Sequence, residues 1–273
     1  MADLRILSLG AGVQSSTLAL MIEKKEIPMV DAAIFADTQA ESKETYQFFG
    51  WLKTKLSYPV YIVTKGSLTE QILIGTYTSN NKLLENYPSV PFFLKNKITG
   101  KKGLLMRQCT NQFKVQPIIQ EIRRLLGLKK GERYKKDTTV EQLMGISIDE
   151  MMRMKPNRMP YITNVYPLVD LKLSRQDCKN WIKKYYNIEA PRSACTYCPF
   201  HHDSDFILMK KNSPEEWNEV VEFDKKIRNK NRDGNVENFV HKSCQPIDQV
   251  NFSKKDNQPS LFIDGCEEGY CGN

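Results

Sequence analysis

Leu4 to Leu9 is a short apolar run that stops at a glycine, and the pattern predicts a buried strand there. Small residues follow, Gly10-Ala11-Gly12-Val13-Gln14-Ser15-Ser16, and Thr17 to Lys25 then takes on helical character. A second apolar run, Val30 to Ala36, ends at Asp37. From Glu41 to Leu56 the positions Tyr46, Phe49, Leu52 and Leu56 recur at helical spacing, and Pro59 to Val63 reads as a third strand. Strand, helix, strand, helix, strand is the signature of an α/β fold, a parallel twisted sheet with crossover helices on both faces.

Between about residues 76 and 106 the pattern loosens around Asn80-Asn81, Pro88, Pro91 and Gly100 to Gly103, as in an insertion or mobile loop. Val115 to Leu128 returns to helical spacing, with Pro117 tolerable in its first turn, and Leu143 to Ile148 is a further strand candidate. Leu173 to Tyr186 predicts a helix capped by Ser174. Ser213 is placed to cap another, with Pro214 at its first position and Glu215 and Glu216 in its first turn. Beyond about residue 232 the chain is polar and irregular. The expected division is an α/β domain over residues 1–190, with the insertion at 76–106, and a cysteine-bearing C-terminal extension over 191–273.

The 273 residues are 40% hydrophobic and 26% charged, which excludes global disorder and leaves enough apolar chain for a core. No apolar run approaches the roughly 20 residues of a bilayer span, so no membrane association is expected. The start has no signal-peptide order, and the expected location is the cytoplasm. Seven cysteines, at 109, 178, 195, 198, 244, 266 and 271, are then better suited to metal binding or thiol chemistry than to structural disulfides. The net charge of +8 is concentrated. Lys95 to Lys136 holds 13 Lys or Arg against Glu121 and Glu132, a local excess of 11, so the remainder is slightly acidic. Such a stretch suits a nucleic-acid partner, tRNA or DNA; a solvated lysine-rich surface is the competing account.

The first chemical feature is the strand-loop-helix from Ser8 to Thr17. Small residues let backbone N–H groups approach a phosphate, the helix N-terminus adds a favourable dipole, and Ser15, Ser16 and Thr17 offer hydroxyls. No Gly-Lys-Ser/Thr follows, so this is not the Walker pattern, and the competing account is an ordinary βα turn. At the end of the next strand stands Asp37-Thr38, with Glu44-Thr45-Tyr46 seven residues later. The carboxyl ends of adjacent parallel strands face one crevice.

Asp37-Thr38-Gln39 through Glu44-Thr45-Tyr46 resembles the Asp-Thr-Gly…Glu-Thr-Tyr motif of the phosphoadenosine-phosphosulfate (PAPS) reductase branch of the PP-loop ATP-pyrophosphatase superfamily, with Gln39 in the glycine's place. Cys109 and Lys114-Val115-Gln116-Pro117 are similar to its Cys-Cys…Lys-Val-x-Pro segment, and Tyr166-Pro167-Leu168-Val169-Asp170 to its Pro-Leu-x-Asp element. The resemblance spans about residues 4–200. It implies a PP-loop, Rossmann-like fold, with the α-phosphate of ATP (or PAPS) over Ser8, Gly10, Gly12, Gln14, Ser15, Ser16 and Thr17, and the nucleoside near Asp37 and Thr38. Ser15 stands where PP-loop enzymes carry an acidic residue, which bears on an Mg²⁺ role. Gly145-Ile146-Ser147 stands where the family has Gly-x-Arg; Arg153 or Arg158 are the candidates to replace that arginine. Lys114 is the candidate for a second phosphate contact.

Cys195-Thr196-Tyr197-Cys198 is a tight pair able to reach one metal, and alone it is half a site. The resemblance adds Cys109 as a first-pair ligand, with Thr110 in place of the adjacent cysteine. Three ligands can hold a [4Fe–4S] cluster with one open iron; a fourth from His201, Cys266 or Cys271, Zn²⁺ in place of iron, or free thiols are the alternatives. Cys178, beside Trp181, is expected to be buried, Cys244 is left open, and His241 is either an acid–base group or a structural hydrogen-bonder. Cys271-Gly272 is similar to the Glu-Cys-Gly tail of sulfonucleotide reductases, which implies a nucleophile that exchanges with a thiol reductant; closing the metal site is its other role.

Three functions follow. One is AMP-forming, pyrophosphate-releasing transfer of sulfur or another group to nucleic acid using an iron-sulfur or metal site, in which cluster-bound or thiol sulfur displaces AMP. The second is PAPS or adenosine-phosphosulfate reduction through Cys271. The third is nucleotide binding without turnover, around a structural metal. The oligomeric state is not legible.

Overall fold

The computed structural model describes residues 2–77, 83–84, 90–231 and 233–252. In chain order the first elements are β1 (Leu4–Leu9), α1 (Val13–Glu23), β2 (Ala32–Asp37), α2 (Lys43–Lys53), β3 (Val60–Thr64) and α3 (Leu68–Ile74). Four short strands follow: β4 (Thr76–Tyr77), β5 (Leu83–Leu84), β6 (Phe93–Asn96) and β7 (Lys102–Leu104). A π-helical turn (Asn111–Val115) runs into α4 (Gln116–Leu125), then come β8 (Val140–Met144), a 3₁₀ segment (Ile148–Arg153), β9 (Ile162–Val165), α5 (Pro167–Asp170) and α6 (Arg175–Tyr186). The chain continues through α7 (Asp203–Asn212), α8 (Pro214–Ile227), β10 (Val236–Phe239) and a last 3₁₀ turn, Ile247–Gln249.

These elements form two compact units interleaved along the chain. One comprises Met1–Lys65 and Thr110–Ser193; the other comprises Gly66–Cys109 and the described part of Ala194–Gly265. The described residues of 66–109 thus group with those that follow Ser193.

The first unit is the expected α/β fold. Its five strands are all parallel, in the order β3-β2-β1-β8-β9. Side chains alternate between the faces of this sheet. Leu7, Leu9, Ala33, Phe35 and Leu143 pack with Leu18 and Ile22 of α1, Phe49 and Leu52 of α2, and Cys178 and Ile182 of α6. Ile6, Ala32, Ile34 and Ala36 pack with Ile118 and Ile122 of α4. Helices therefore cover both faces, which is why β1 and β2 read as continuous apolar runs. Helix α6 starts as expected: the Ser174 hydroxyl accepts from the Asp177 amide, and the Asp177 carboxylate accepts from the Ser174 amide at 2.8 Å. Ser174→Ala should lower the melting temperature by about 2–4 °C. The two hydrogen bonds from Ser174 hold the Asp177 carboxyl below its ordinary range. That contribution is present above the unfolded-state pKa and is lost as pH falls through the folded one, so thermal melts of variant and wild type should converge in acid.

In the second unit β10-β6-β7 form an antiparallel sheet, and β4 pairs with β5. Phe223 of α8 stacks on Tyr197, with ring centroids 3.8 Å apart, and packs on Phe92. Ser213 starts α8 without a side-chain cap, because the same residue ends α7. No helix among the described residues is long and apolar enough to cross a membrane.

Candidate functional site

Strand order alone marks one place on the first unit. From β1 the chain moves outward to β2 and β3, then returns to β8 and β9 on the other side of β1. The order reverses between β1 and β8, and in open α/β sheets ligands bind at the carboxyl ends of the strands at such a point. The residue after β1 is Gly10. Its N–H donates to the Ser15 hydroxyl oxygen at 3.1 Å, Ala11 adopts a left-handed φ of 56°, and Gly12 is the N-cap of α1 without a side chain to close the first turn. No side chain caps the first turn of this eleven-residue helix.

The hydroxyls expected to face phosphate point inward. Gln14, Ser15, Ser16 and Thr17 are all fully buried, and Ser8 is nearly so. The Thr17 hydroxyl donates to Val13 O at 2.8 Å and lies 3.3 Å from Cys178 O. The Ser8 hydroxyl accepts from Gln142, and Gln14 Nε2 donates to the Ser147 hydroxyl. Ser16 Oγ and Gln14 Oε1 are closed from solvent and have no hydrogen-bond partner among the described residues. Most of the side chains of this segment are used to hold the loop.

Asp37 ends β2, the neighbour of β1. One of its carboxylate oxygens accepts from the Gln39 amide at 2.8 Å and from the Tyr46 hydroxyl at 2.7 Å. Burial, and then Asp37, raise the Tyr46 hydroxyl well above its ordinary pKa, so it stays a donor. Gln39, in the place of the family's glycine, adopts the left-handed φ of 55° that a glycine would take without strain. Thr38 is buried. Two strained non-glycine turns therefore sit at the carboxyl ends of adjacent strands, where strain and function commonly coincide.

Lys114 lies in the π-helical turn and is buried; its Nζ reaches Glu41 Oε1 at 3.0 Å, and Glu41 Oε2 accepts from the Ser193 hydroxyl at 3.2 Å. Glu41 was missed in the sequence, although it lies between the two halves of the Asp-Thr…Glu-Thr-Tyr motif. Ser147, in the segment matched to Gly-x-Arg, is fully buried, and Arg153 pairs at 2.6 Å with buried Glu150.

Cys109, Cys195 and Cys198 belong to the second unit and form no disulfide among the described residues. The Cys198 amide donates to Cys195 O at 2.9 Å, which makes the CxxC a tight turn. All three residues act on one neighbour. Tyr197 is raised well above its ordinary pKa, first by burial and then by Cys195, Cys109 and Cys198, while its hydrogen bond with Thr69 lowers it. His201 Nε2 donates to Cys195 O at 2.9 Å and its Nδ1 faces Asp205, so the ring braces the turn. Among the described residues no group of three or more His, Cys, Asp or Glu is arranged to hold a metal ion. Cys266 and Cys271 lie outside the described residues. Cys178 is fully buried as expected. Cys244 is buried, which raises its thiol pKa, and its Sγ donates to Leu94 O at 3.5 Å. His241 bonds to Asp203 at 3.2 Å and to the Ser243 hydroxyl at 2.8 Å.

The basic stretch is shared between the units. In the first, Arg123 and Arg124 bond to local acceptors, while Lys129, Lys130, Arg133, Lys135 and Lys136 are exposed.

No family model matches the chain, and no curated protein matches it. Among solved structures, phosphoadenylyl-sulfate (PAPS) reductase from Candida auris, in its phosphate complex, is similar over 69% of this chain and 74% of its own, at 15% identity and a TM-score of 0.39.

Proposed function

We propose that the chain is an adenine-nucleotide-binding enzyme of the PP-loop, PAPS reductase-like type that transfers sulfur or another group to a nucleic acid at the expense of ATP. The observation that carries the proposal is the uncapped start of α1 at the point where the strand order reverses, with Asp37 at the carboxyl end of the adjacent strand. The loop from Ser8 to Thr17, with Gly10, Gly12, Gln14, Ser15 and Ser16 between, holds the α-phosphate through its backbone. Asp37 and Thr38 hold the nucleoside, and Mg²⁺ enters with ATP. An acceptor oxygen attacks the α-phosphorus, pyrophosphate leaves, and sulfur from an external donor displaces AMP. Lys114 steadies phosphate charge in this account, and Cys109, Cys195 and Cys198 supply the thiol environment. The five exposed cations between 129 and 136 supply sequence-independent attraction for a nucleic-acid backbone, so binding to RNA or DNA should weaken steeply with salt.

The test is calorimetric titration of Mg–ATP, and separately of PAPS, into anaerobically purified protein, with iron and zinc quantified. ATP should bind, and Asp37→Ala should weaken it about ten-fold or more, the loss expected for a hydrogen bond to a charged group. A preference for PAPS would move the function to sulfonucleotide reduction with Cys271 as nucleophile. If neither nucleotide binds, the proposal fails.

A further inference from the structure

The second unit contains a cation whose chemistry the nucleotide site does not use. Arg107 lies two residues before Cys109, and its guanidinium carbon sits 5.0 Å from the centroid of the Phe200 ring, which follows the Cys195–Cys198 turn and Pro199. Stacking on an aromatic face orients the planar guanidinium and leaves its edges for hydrogen bonding. Two of its nitrogens, Nε and Nη2, are closed from solvent and have no hydrogen-bond partner among the described residues. These two form one edge of the group, the fork that accepts two coplanar oxygens side by side. A charged donor pair kept from water and given no acceptor is among the least favourable arrangements in a folded protein.

We propose that the Nε–Nη2 edge of Arg107 is an oxyanion site, taking two oxygens of a phospho or sulfo group. Two features carry it: the paired unsatisfied donors and the ring that fixes their plane. Lysine, a single ammonium without the planar fork, would reproduce the charge but not the two-point contact. The site goes beyond the nucleotide function above, because every residue in it belongs to the second unit.

The test is calorimetric titration of inorganic phosphate, and separately of sulfate and acetate, into the full chain at constant ionic strength, comparing wild type with Arg107→Gln and Arg107→Lys. Any phosphate taken up by the loop after β1 is common to all three proteins and cancels. Arg107→Gln should lose one equivalent of phosphate or bind it at least about ten-fold more weakly, and Arg107→Lys should fall in between. Phosphate and sulfate binding better than acetate would place the source among tetrahedral anions, and acetate binding equally would widen it to carboxylates. If Arg107→Gln fails to fold, the lysine variant, which keeps the charge, carries the comparison. Equal phosphate uptake by wild type and variants would overturn the site, as would a higher melting temperature in Arg107→Gln with uptake unchanged, the signature of an arginine that is only a buried burden.

Discussion

Lys114→Met is expected to cost the protein about 3–5 kcal/mol of stability, most of it the penalty of leaving the buried Glu41 carboxylate without its counter-ion. The side chains of the pair are 9% and 1% exposed, so water can replace the lost partner only by entering the fold. Serine offers little relief, because Ser193 already donates to the second carboxylate oxygen of Glu41. Urea unfolding should show a lower midpoint with little change in slope, since the surface exposed on unfolding is almost the same. The double variant Glu41→Leu with Lys114→Met should recover most of that loss, because two apolar groups of similar volume remove the desolvation cost along with the attraction. This pair of variants separates structure from chemistry. A double variant that folds at near wild-type stability yet no longer turns over ATP would give Lys114 a role in the reaction. One that turns over ATP normally would leave Lys114 as a structural ion.

Asp224→Ala should be equally damaging, at about 3–5 kcal/mol, and for a different reason. This carboxylate of α8 is 1% exposed and ties three segments together. It accepts from the Val240 amide at 2.8 Å and the Ile247 amide at 3.3 Å, and it pairs with Arg228, which lies over the Phe239 ring. Alanine would orphan two buried N–H groups and a half-shielded guanidinium at once. Burial holds the Asp224 carboxyl above its ordinary pKa, and the bonds from Val240, Arg228 and Ile247 offset only part of that. With the folded-state pKa raised, the proton-linked contribution is fully present below the unfolded pKa and is lost as pH rises through the folded one. The gap between wild type and variant in urea unfolding should therefore be widest in acid and narrow towards neutrality, while the cost of the orphaned donors persists. Asp224→Asn, which keeps one acceptor, should cost less than alanine.

How much of this was legible in the sequence depended on how each element meets its neighbours. Strands β1, β2 and β3 were visible as short apolar runs closed by turns. Strand β8 was expected at Leu143 to Ile148 and lies at Val140–Met144. Its middle carries Glu141 and Gln142: Glu141 pairs with Arg5 of β1, and fully buried Gln142 bonds to Ser8 and accepts from Asn157. Polar residues satisfied across strands are indistinguishable from loop residues until the partner strand is known. Edge strand β9 was hidden likewise by Thr163 and Asn164. The sheet of the second unit left no local signal either, since Phe93 of β6 pairs with Phe239 of β10.

The site divides along the same line. The loop after β1 and Asp37 could be read because small residues and an acid at strand ends have a local meaning. The partnership of Lys114 with Glu41 spans 73 residues and could not. Nor could the inward turn of Ser15, Ser16 and Thr17, because burial of a hydroxyl is decided by what packs over it.

The sheet order also sets a timetable. Ser8 of β1 pairs with Ile34 of β2 on one side and with Met144 of β8 on the other. During synthesis the first side is available almost at once, whereas the second cannot form until about half of the 273 residues have left the ribosome. Until then one edge of β1 carries unpaired main-chain donors and acceptors, the kind of edge that recruits other chains. Closing a seam between such distant segments is also slow for entropic reasons. Strand β1 is thus among the first made and late to be enclosed, and a nascent chain has no crevice between β1 and β8 until its centre is sealed.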